Sequence, residues 1–206
     1  MSTVIIFDLE TSGLNPYHDD IIEIGAKVYN EENSFQILLK PKSDRPISKR
    51  ITDITGITNR LLSEEGLPWQ NAYIEFHNWL FETTKDSENV VFVSHNGNTF
   101  DFIFLKRMLI DLNSIEGQQN NIDVSKIIFH DTLPLSKRLY SGRSYYSQPS
   151  LAKTFNIMIV NAHRAMGDVL VLEQLYPRLL KDLFNQEKID GLKDPNKVVD
   201  YIDLNV

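Results

Sequence analysis

Near the start of the sequence, an apolar segment with the pattern of a buried strand ends in two acids. Residues 4–9 are an apolar run typical of a buried strand, except that Asp8 lies within it and Glu10 follows it. Side chains on a strand alternate between faces, so Asp8 and Glu10 point the same way, together with Val4 and Ile6. Two carboxylates about 4 Å apart repel by roughly 4 kcal/mol at an effective dielectric constant of about 20. A divalent cation converts that repulsion into binding, so the segment predicts a magnesium site.

Length and composition set the class of protein. A chain of 206 residues suits one domain with a core large enough to fold alone. No apolar run approaches a membrane span, and no signal peptide is visible before the first strand. The chain has no cysteine, which excludes disulfides and thiolate zinc sites and fits a reducing compartment. We therefore expect no membrane partner and an intracellular location, in the cytoplasm or the nucleus.

The charge of the chain restricts how it could hold nucleic acid. Its formal net charge is -7, whereas a protein that binds DNA through its overall field is usually basic. Any contact with nucleic acid must therefore depend on bound metal and on local basic groups.

The order of the predicted elements indicates an α/β fold. The predicted strands are residues 4–9, 21–28, 35–39, 90–93 and 127–129, and the predicted helices are 68–84, 99–112, 133–139, 150–156 and 164–184. Residues 46–65 are predicted to be irregular and residues 140–149 an exposed loop. Strands first, then alternating helices and strands, indicate a mixed sheet covered by helices. We expect residues 1–184 to form one domain and residues 185–206 an extension or tail.

Further chemistry-bearing residues stand at the starts of predicted helices. Asp101 lies in a first turn after a buried strand, Asp168 opens the long last helix, and His163 lies just before that helix or in its distorted first turn. Each alone would most often be an ordinary first-turn acid or a surface histidine. Together with Asp8 and Glu10 they occupy the positions where open α/β sheets build sites. Oxygen ligands favour Mg²⁺ or Mn²⁺ over zinc, and His163 would be a base beside the metals.

The order Asp-x-Glu, then Asp, then His-x-Ala-x-x-Asp resembles the DEDDh exonucleases, the DnaQ-like branch of the ribonuclease H-like superfamily. The motifs are residues 7–14, 95–101 and 163–169, and residues 54–58 also resemble a family segment. The match covers residues 4–180 in order and spacing. Within the family, the second and third motifs are most similar to the three-prime repair exonucleases of animal cells. The resemblance implies a ribonuclease H-like mixed five-stranded sheet flanked by helices.

The resemblance also implies an activity and a role for each site residue. The expected reaction is stepwise hydrolysis from the 3′ end of DNA, with single-stranded or frayed ends preferred and nucleoside 5′-monophosphates released. Asp8, Glu10 and Asp168 would hold one of two Mg²⁺ or Mn²⁺ ions, Asp8 and Asp101 would hold the other, and His163 would be the general base. Glu10, Thr11 and Leu14 would contact the terminal nucleotide.

Several alternatives stay open. The same carboxylates would serve an RNA-trimming exonuclease, and a non-catalytic module that binds nucleic-acid ends is a different class of function. The oligomeric state also stays open. Two further acids are expected to be structural: Glu23 on the exposed face of an alternating strand, and Asp131 as the N-cap of the following helix. His95 is expected to bond to backbone and is left out of the catalytic set.

Overall fold

A computed structural model of the protein describes residues 2–43, 45–118 and 122–187. Within these residues, the strands are β1 (Thr3–Thr11), β2 (Ile21–Val28), β3 (Ser34–Leu38), β4 (Val90–Ser94) and β5 (Ile127–Asp131). They form one sheet in the order β3-β2-β1-β4-β5. β1 is antiparallel to β2 and parallel to β4, and β5 continues the parallel half. The carboxyl ends of β1, β4 and β5 therefore meet at one edge, where side chains from distant parts of the sequence converge.

The helices flank this sheet on both faces. Among the described residues they are α1 (Lys49–Thr55), α2 (Asn59–Glu65), α3 (Trp69–Thr84), α4 (Asp101–Leu112), α5 (Thr132–Leu139), α6 (Gln148–Thr154) and α7 (Ala165–Glu187). None of the helices in this part of the chain combines the length and the apolarity that a bilayer crossing requires. The predicted mixed five-stranded sheet flanked by helices is confirmed.

The two faces of β1 belong to two different hydrophobic clusters. Ile5, Phe7 and Leu9 pack with residues of α3 and α4, whereas Val4 and Ile6 pack with α5, α6 and α7. This is the alternation that the sequence predicted for the strand. Because Asp8 and Glu10 follow Val4 and Ile6 in that alternation, both acids lie on the face that α7 covers.

Residues 46–65 are not irregular, as the sequence had predicted, because they contain α1 and α2. Each helix has seven residues and is capped by a hydroxyl: Ser48 accepts from the Ile51 amide and Thr58 from the Leu61 amide. Helices this short carry too few apolar positions to show a clear helical period, so capping chemistry is their main sequence signal.

α7 extends beyond residue 184, where the sequence predicted its end. α7 continues through residues 185–187, and the rest of the predicted extension, residues 188–206, lies outside the described residues.

Candidate active site

Three carboxylates from two elements meet at the carboxyl edge of the sheet. Asp8 and Glu10 lie on β1, and Asp168 lies in the first turn of α7. One carboxylate oxygen from each can be chosen so that all three lie within 4.8 Å of one another. All three side chains are partly buried. Acidic oxygens at this spacing match the ligands that hard divalent cations prefer.

The register between β1 and β2 explains how α7 approaches these acids. Asp8 lies opposite Gly25, Glu10 lies opposite Glu23, and the register shifts immediately after Glu10. Gly25 allows close approach, since a Cβ there would lie 2.7 Å from the Ala165 carbonyl carbon. The first turn of α7 therefore rests directly on the β2 backbone, which brings Asp168 beside the acids of β1.

Asp101 reaches the same edge from the start of α4, which follows β4 in the chain. Its Oδ2 accepts a hydrogen bond from Ser94 Oγ at 2.7 Å, and its Oδ1 accepts one from the Leu9 amide at 3.1 Å. The side chain is 3% exposed. Asp101 is not one of the three acids with oxygens within 4.8 Å, but among charged groups it has the largest effect on the pKa of Asp8. The two hydrogen bonds fix a fourth carboxylate next to the cluster.

The electrostatics of the four acids favour a bound cation. Burial raises the pKa of Asp8 well above its ordinary value, and the charges of Asp101 and Glu10 raise it further. Burial, followed by the charge of Asp168, raises the pKa of Glu10 to about 8. Burial raises the pKa of Asp101 to about 7 despite its two hydrogen bonds, and burial also raises the pKa of Asp168. A divalent cation would offset this crowding of negative charge, so the residues present fit a metal centre.

His163 lies just before α7, one of the two positions that the sequence predicted for it. Its backbone is left-handed, with φ of 59°, and its amide donates to Asp168 Oδ2 at 3.1 Å. The side chain is exposed, and its charge lowers the pKa of Asp168 in opposition to burial. The imidazole is therefore near the acidic cluster and open to solvent.

The predicted nucleotide contacts differ in accessibility. Leu14 is 77% exposed and can offer an apolar surface. Thr11 is buried, and its hydroxyl donates to the Gly13 carbonyl at 2.6 Å, which holds the loop after β1. Contact of Thr11 with a 3′-hydroxyl stays a prediction.

Asp131 is an N-cap, as predicted. Its Oδ1 accepts from the Leu133 amide at 2.9 Å. Its carboxylate also accepts from the amides of Asn96 and Asn98, and so fixes the turn that leads to Asp101. His95 bonds to Thr132 Oγ1 at 2.9 Å, and burial lowers its pKa. Asp131 and His95 therefore connect the segment before Asp101 to the start of α5.

The prediction that Glu23 lies on an exposed strand face is wrong. Its side chain is fully buried and is paired with Arg164, to which the sequence had assigned no role. Residues 21–24 show why: isoleucines stand on both sides of the acid, so the segment does not alternate and both faces of β2 are covered. That continuous apolar run was a usable signal for a buried, partnered glutamate.

A family model and curated relatives place the chain among known sequences. The model of the RNase T exonuclease family matches residues 5–176. The PolC-type DNA polymerase III of Thermotoga petrophila is 33% identical over 216 residues, covering 98% of this chain. That of Mycoplasma genitalium is 39% identical over 185 residues, covering 88%. The chain spans only 14% and 12% of these two relatives.

Solved structures share the fold. Escherichia coli Exonuclease I in complex with a dT13 oligonucleotide has a TM-score of 0.68 and 22% identity, covering 89% of this chain and 44% of that chain. Cell-death related nuclease 4 has a TM-score of 0.65 and 18% identity, covering 87% of this chain and 64% of that chain. At these identities the likeness supports the fold alone.

Proposed function

Because the chain belongs to the RNase T family of DEDDh, DnaQ-like exonucleases, we propose that it hydrolyses DNA stepwise from the 3′ end and releases nucleoside 5′-monophosphates. The observation that carries the proposal is the cluster of Asp8, Glu10 and Asp168, with oxygens within 4.8 Å of one another. Asp101 beside Asp8 supplies the fourth acid. A purely structural domain would gain nothing from acids crowded in this way.

The acids would hold two Mg²⁺ or Mn²⁺ ions. Asp8, Glu10 and Asp168 would be ligands of one ion, and Asp8 and Asp101 of the other. Ligand sets made only of oxygen suit these hard cations. When bound, such ions supply positive charge next to the attacking and leaving oxygens of a phosphodiester.

The remaining site residues would move a proton and hold the terminal nucleotide. His163 would accept the proton of the attacking water. The water oxygen would bond to phosphorus while the bond from phosphorus to the 3′-oxygen breaks, and the leaving oxygen would take a proton from solvent to become the 3′-hydroxyl of the shortened strand. Leu14 would present its exposed side chain to the terminal base, and Glu10 and Thr11 would contact its sugar.

The preferred substrate and the location complete this proposal. Single-stranded or frayed 3′ ends fit a net charge of -7, which offers little general attraction for a duplex. DNA rather than RNA is supported by the relatives, which are named as DNA polymerases. An intracellular location, in the cytoplasm or the nucleus, is part of the same proposal. The relatives leave the similarity to three-prime repair exonucleases untested, and it stays a prediction.

Digestion of 5′-labelled DNA and RNA oligonucleotides of equal sequence, with added Mg²⁺ and with EDTA, tests the proposal. We expect a ladder that shortens from the 3′ end with Mg²⁺ only, and faster on DNA. Asp168→Asn should reduce the rate at least roughly 100-fold. Asp53→Asn is the matched control, because Asp53 is an exposed acid on α1 that pairs with Lys49.

Three results would contradict the proposal. Faster shortening of RNA would support the trimming exonuclease, and tight binding of 3′ ends without mononucleotide release in Mg²⁺ or Mn²⁺ would support the end-binding module. Normal cleavage by Asp168→Asn would remove the metal assignment.

A further inference from the structure

Glu23 lies beside the candidate site, and both of its carboxylate oxygens accept hydrogen bonds. Arg164 donates to it twice, from Nε at 3.0 Å and from Nη2 at 2.7 Å. The Ala165 amide donates to Oε2 at 3.1 Å, and Gln36 Nε2 donates to Oε1 at 2.8 Å. A buried ion pair is a weak source of stability compared with apolar packing, whereas its geometry is highly specific. Its location therefore matters more than its strength.

The pair joins β2 to the residues that introduce α7. Glu23 lies opposite Glu10 in the sheet, and directly opposed residues on antiparallel strands share a face. Its partners, Arg164 and Ala165, are the last residue before α7 and the first residue of that helix. The ion pair thus fixes the start of α7 over the same sheet face that carries Asp8 and Glu10.

Arg164 is also part of the turn that carries His163 and Asp168, the two site residues at the start of α7. Its amide donates to the Asn161 carbonyl at 3.2 Å, and its carbonyl accepts from the Asp168 amide at 3.0 Å. His163 immediately precedes it, and the His163 amide bonds to the Asp168 carboxylate. Moving Arg164 would therefore displace both His163 and Asp168.

From these contacts we propose that Glu23 and Arg164 are positioning residues, which hold Asp168 and His163 in register with the acids of β1. Neither residue is a metal ligand or a catalytic residue in this proposal. The inference rests on the proposed function: its catalytic part depends on the proposed hydrolysis, and its metal-binding part depends only on the proposed metal site.

A second ion pair between the same two elements provides a matched control. Lys27 of β2 and Glu173 of α7 are 2.5 Å apart, with 13% and 18% of their side chains exposed. Glu173 also accepts from the Asn30 amide at 3.0 Å, at the end of β2 away from the cluster. Glu173→Gln thus weakens the attachment of α7 to β2 without touching its first turn.

The experiment compares Glu23→Gln and Glu173→Gln in the full chain. Mn²⁺ alone is titrated by electron paramagnetic resonance, and kcat and KM are measured on a single-stranded DNA oligonucleotide. For Glu23→Gln we expect Mn²⁺ affinity and kcat each to fall about 10-fold or more, with KM unchanged. For Glu173→Gln we expect a lower Tm, with Mn²⁺ affinity and kcat within about twofold of wild type.

Arg164→Lys supplies a second variant, which keeps the charge but cannot donate the two bonds of a guanidinium. It should lose Mn²⁺ affinity as Glu23→Gln does. If Glu23→Gln does not fold, Arg164→Lys alone tests the positioning role of the pair. Equal losses in the Glu23 and Glu173 variants, or wild-type affinity in both Glu23→Gln and Arg164→Lys, would overturn the proposal. An inactive wild type would refute the nuclease function, while the Mn²⁺ titration would still test positioning.

Discussion

The acids of the cluster are held close together by the backbone and hydrogen bonds around them. Asp8 and Glu10 are fixed by the pleat of β1, and Asp101 is fixed by Ser94 and the Leu9 amide. Burial raises the pKa of each of these acids, since their charged forms are poorly solvated. Without a cation, the folded protein must either bind extra protons there or tolerate the repulsion. In both cases the site reduces the stability of the fold.

Asp8→Asn should therefore stabilise the metal-free protein while removing its metal response. An amide of the same shape carries no charge and needs no proton, so we expect Tm at pH 8 in EDTA to rise by a few degrees, since about 1 kcal/mol corresponds to roughly 2–4 °C at this size. Differential scanning calorimetry in EDTA and in Mg²⁺ measures both effects. Wild type should gain stability from Mg²⁺, and the variant should gain little.

Asp53→Asn serves as the surface control for calorimetry too. It should leave both Tm values and the response to Mg²⁺ unchanged. A fall in the EDTA Tm of Asp8→Asn would show that Asp8 contributes native stability, which would contradict the argument from crowding.

Among the elements, α7 owes its position to two glycines, whose lack of a side chain allows close contact with neighbouring backbone. A Cβ on Gly25 would press on the backbone of Ala165, and a Cβ on Gly167 would lie 2.2 Å from the Asn161 carbonyl oxygen. The close approach at Gly25 sets the distance between α7 and β2. The close approach at Gly167 fixes the turn that contains His163. Because both contacts are with backbone atoms, neither can be relieved by a side chain turning away.

Gly25→Ala should push the start of α7 away from β2. We expect it to cost about 1–3 kcal/mol of unfolding free energy and to weaken Mn²⁺ binding, because Asp168 moves with the helix. Urea unfolding and Mn²⁺ titration measure the two effects. Gly142→Ala is the control: φ there is 90° and no described atom lies within 4 Å of the new Cβ, so it should cost stability but leave Mn²⁺ affinity intact. Equal Mn²⁺ affinity in the two variants would contradict this account.

The elements differ in how far their sequence could predict them. β1 was recognisable because its apolar run is local in the sequence, and α7 because its apolar residues recur over many helical turns. α1 and α2 were missed because each is too short to repeat a period. The partner of Glu23 could not be predicted, since Arg164 is 141 residues away and only the packing of α7 on β2 brings the two together.

Across the whole molecule, α7 spans the sheet from β2 towards the edge strand β5. Its buried Tyr176 bonds to His130 Nδ1 at 2.5 Å, while Nε2 of His130 has no hydrogen-bond partner among the described residues. Burial lowers the pKa of His130 from 6.5 to about 4. This histidine is therefore neutral in the folded protein at pH values where the unfolded chain would protonate it.

The pH dependence of unfolding should report His130. The contribution of neutral His130 to the free energy of unfolding is complete above pH 6.5. It is lost as the pH falls towards 4, because the unfolded chain takes up the proton first. The loss should reach about 2 kcal/mol by pH 5, at about 1.4 kcal/mol for each pKa unit. Urea unfolding at pH 7.5 and pH 5 compares wild type with His130→Asn, which keeps a polar group for Tyr176. We expect a smaller loss in the variant, and equal losses would refute the assignment.

The site as a whole was partly predictable from sequence. The strand edge where Asp8, Asp101 and Asp168 meet follows from element order, because parallel strands align their carboxyl ends. Sequence did not predict that Asp101 would lie next to the group of three acids rather than within it. That position depends on the hydrogen bonds from Ser94 and the Leu9 amide to its carboxylate. Element order predicts which side chains converge, whereas local bonding decides their final spacing.

The acids that meet at this edge come from both ends of the described chain, at positions 8, 10, 101 and 168. During translation, a growing polypeptide that has not yet released α7 holds only part of the set. Under the proposed function, a fragment truncated before Asp168 should therefore bind Mn²⁺ weakly and leave DNA uncut.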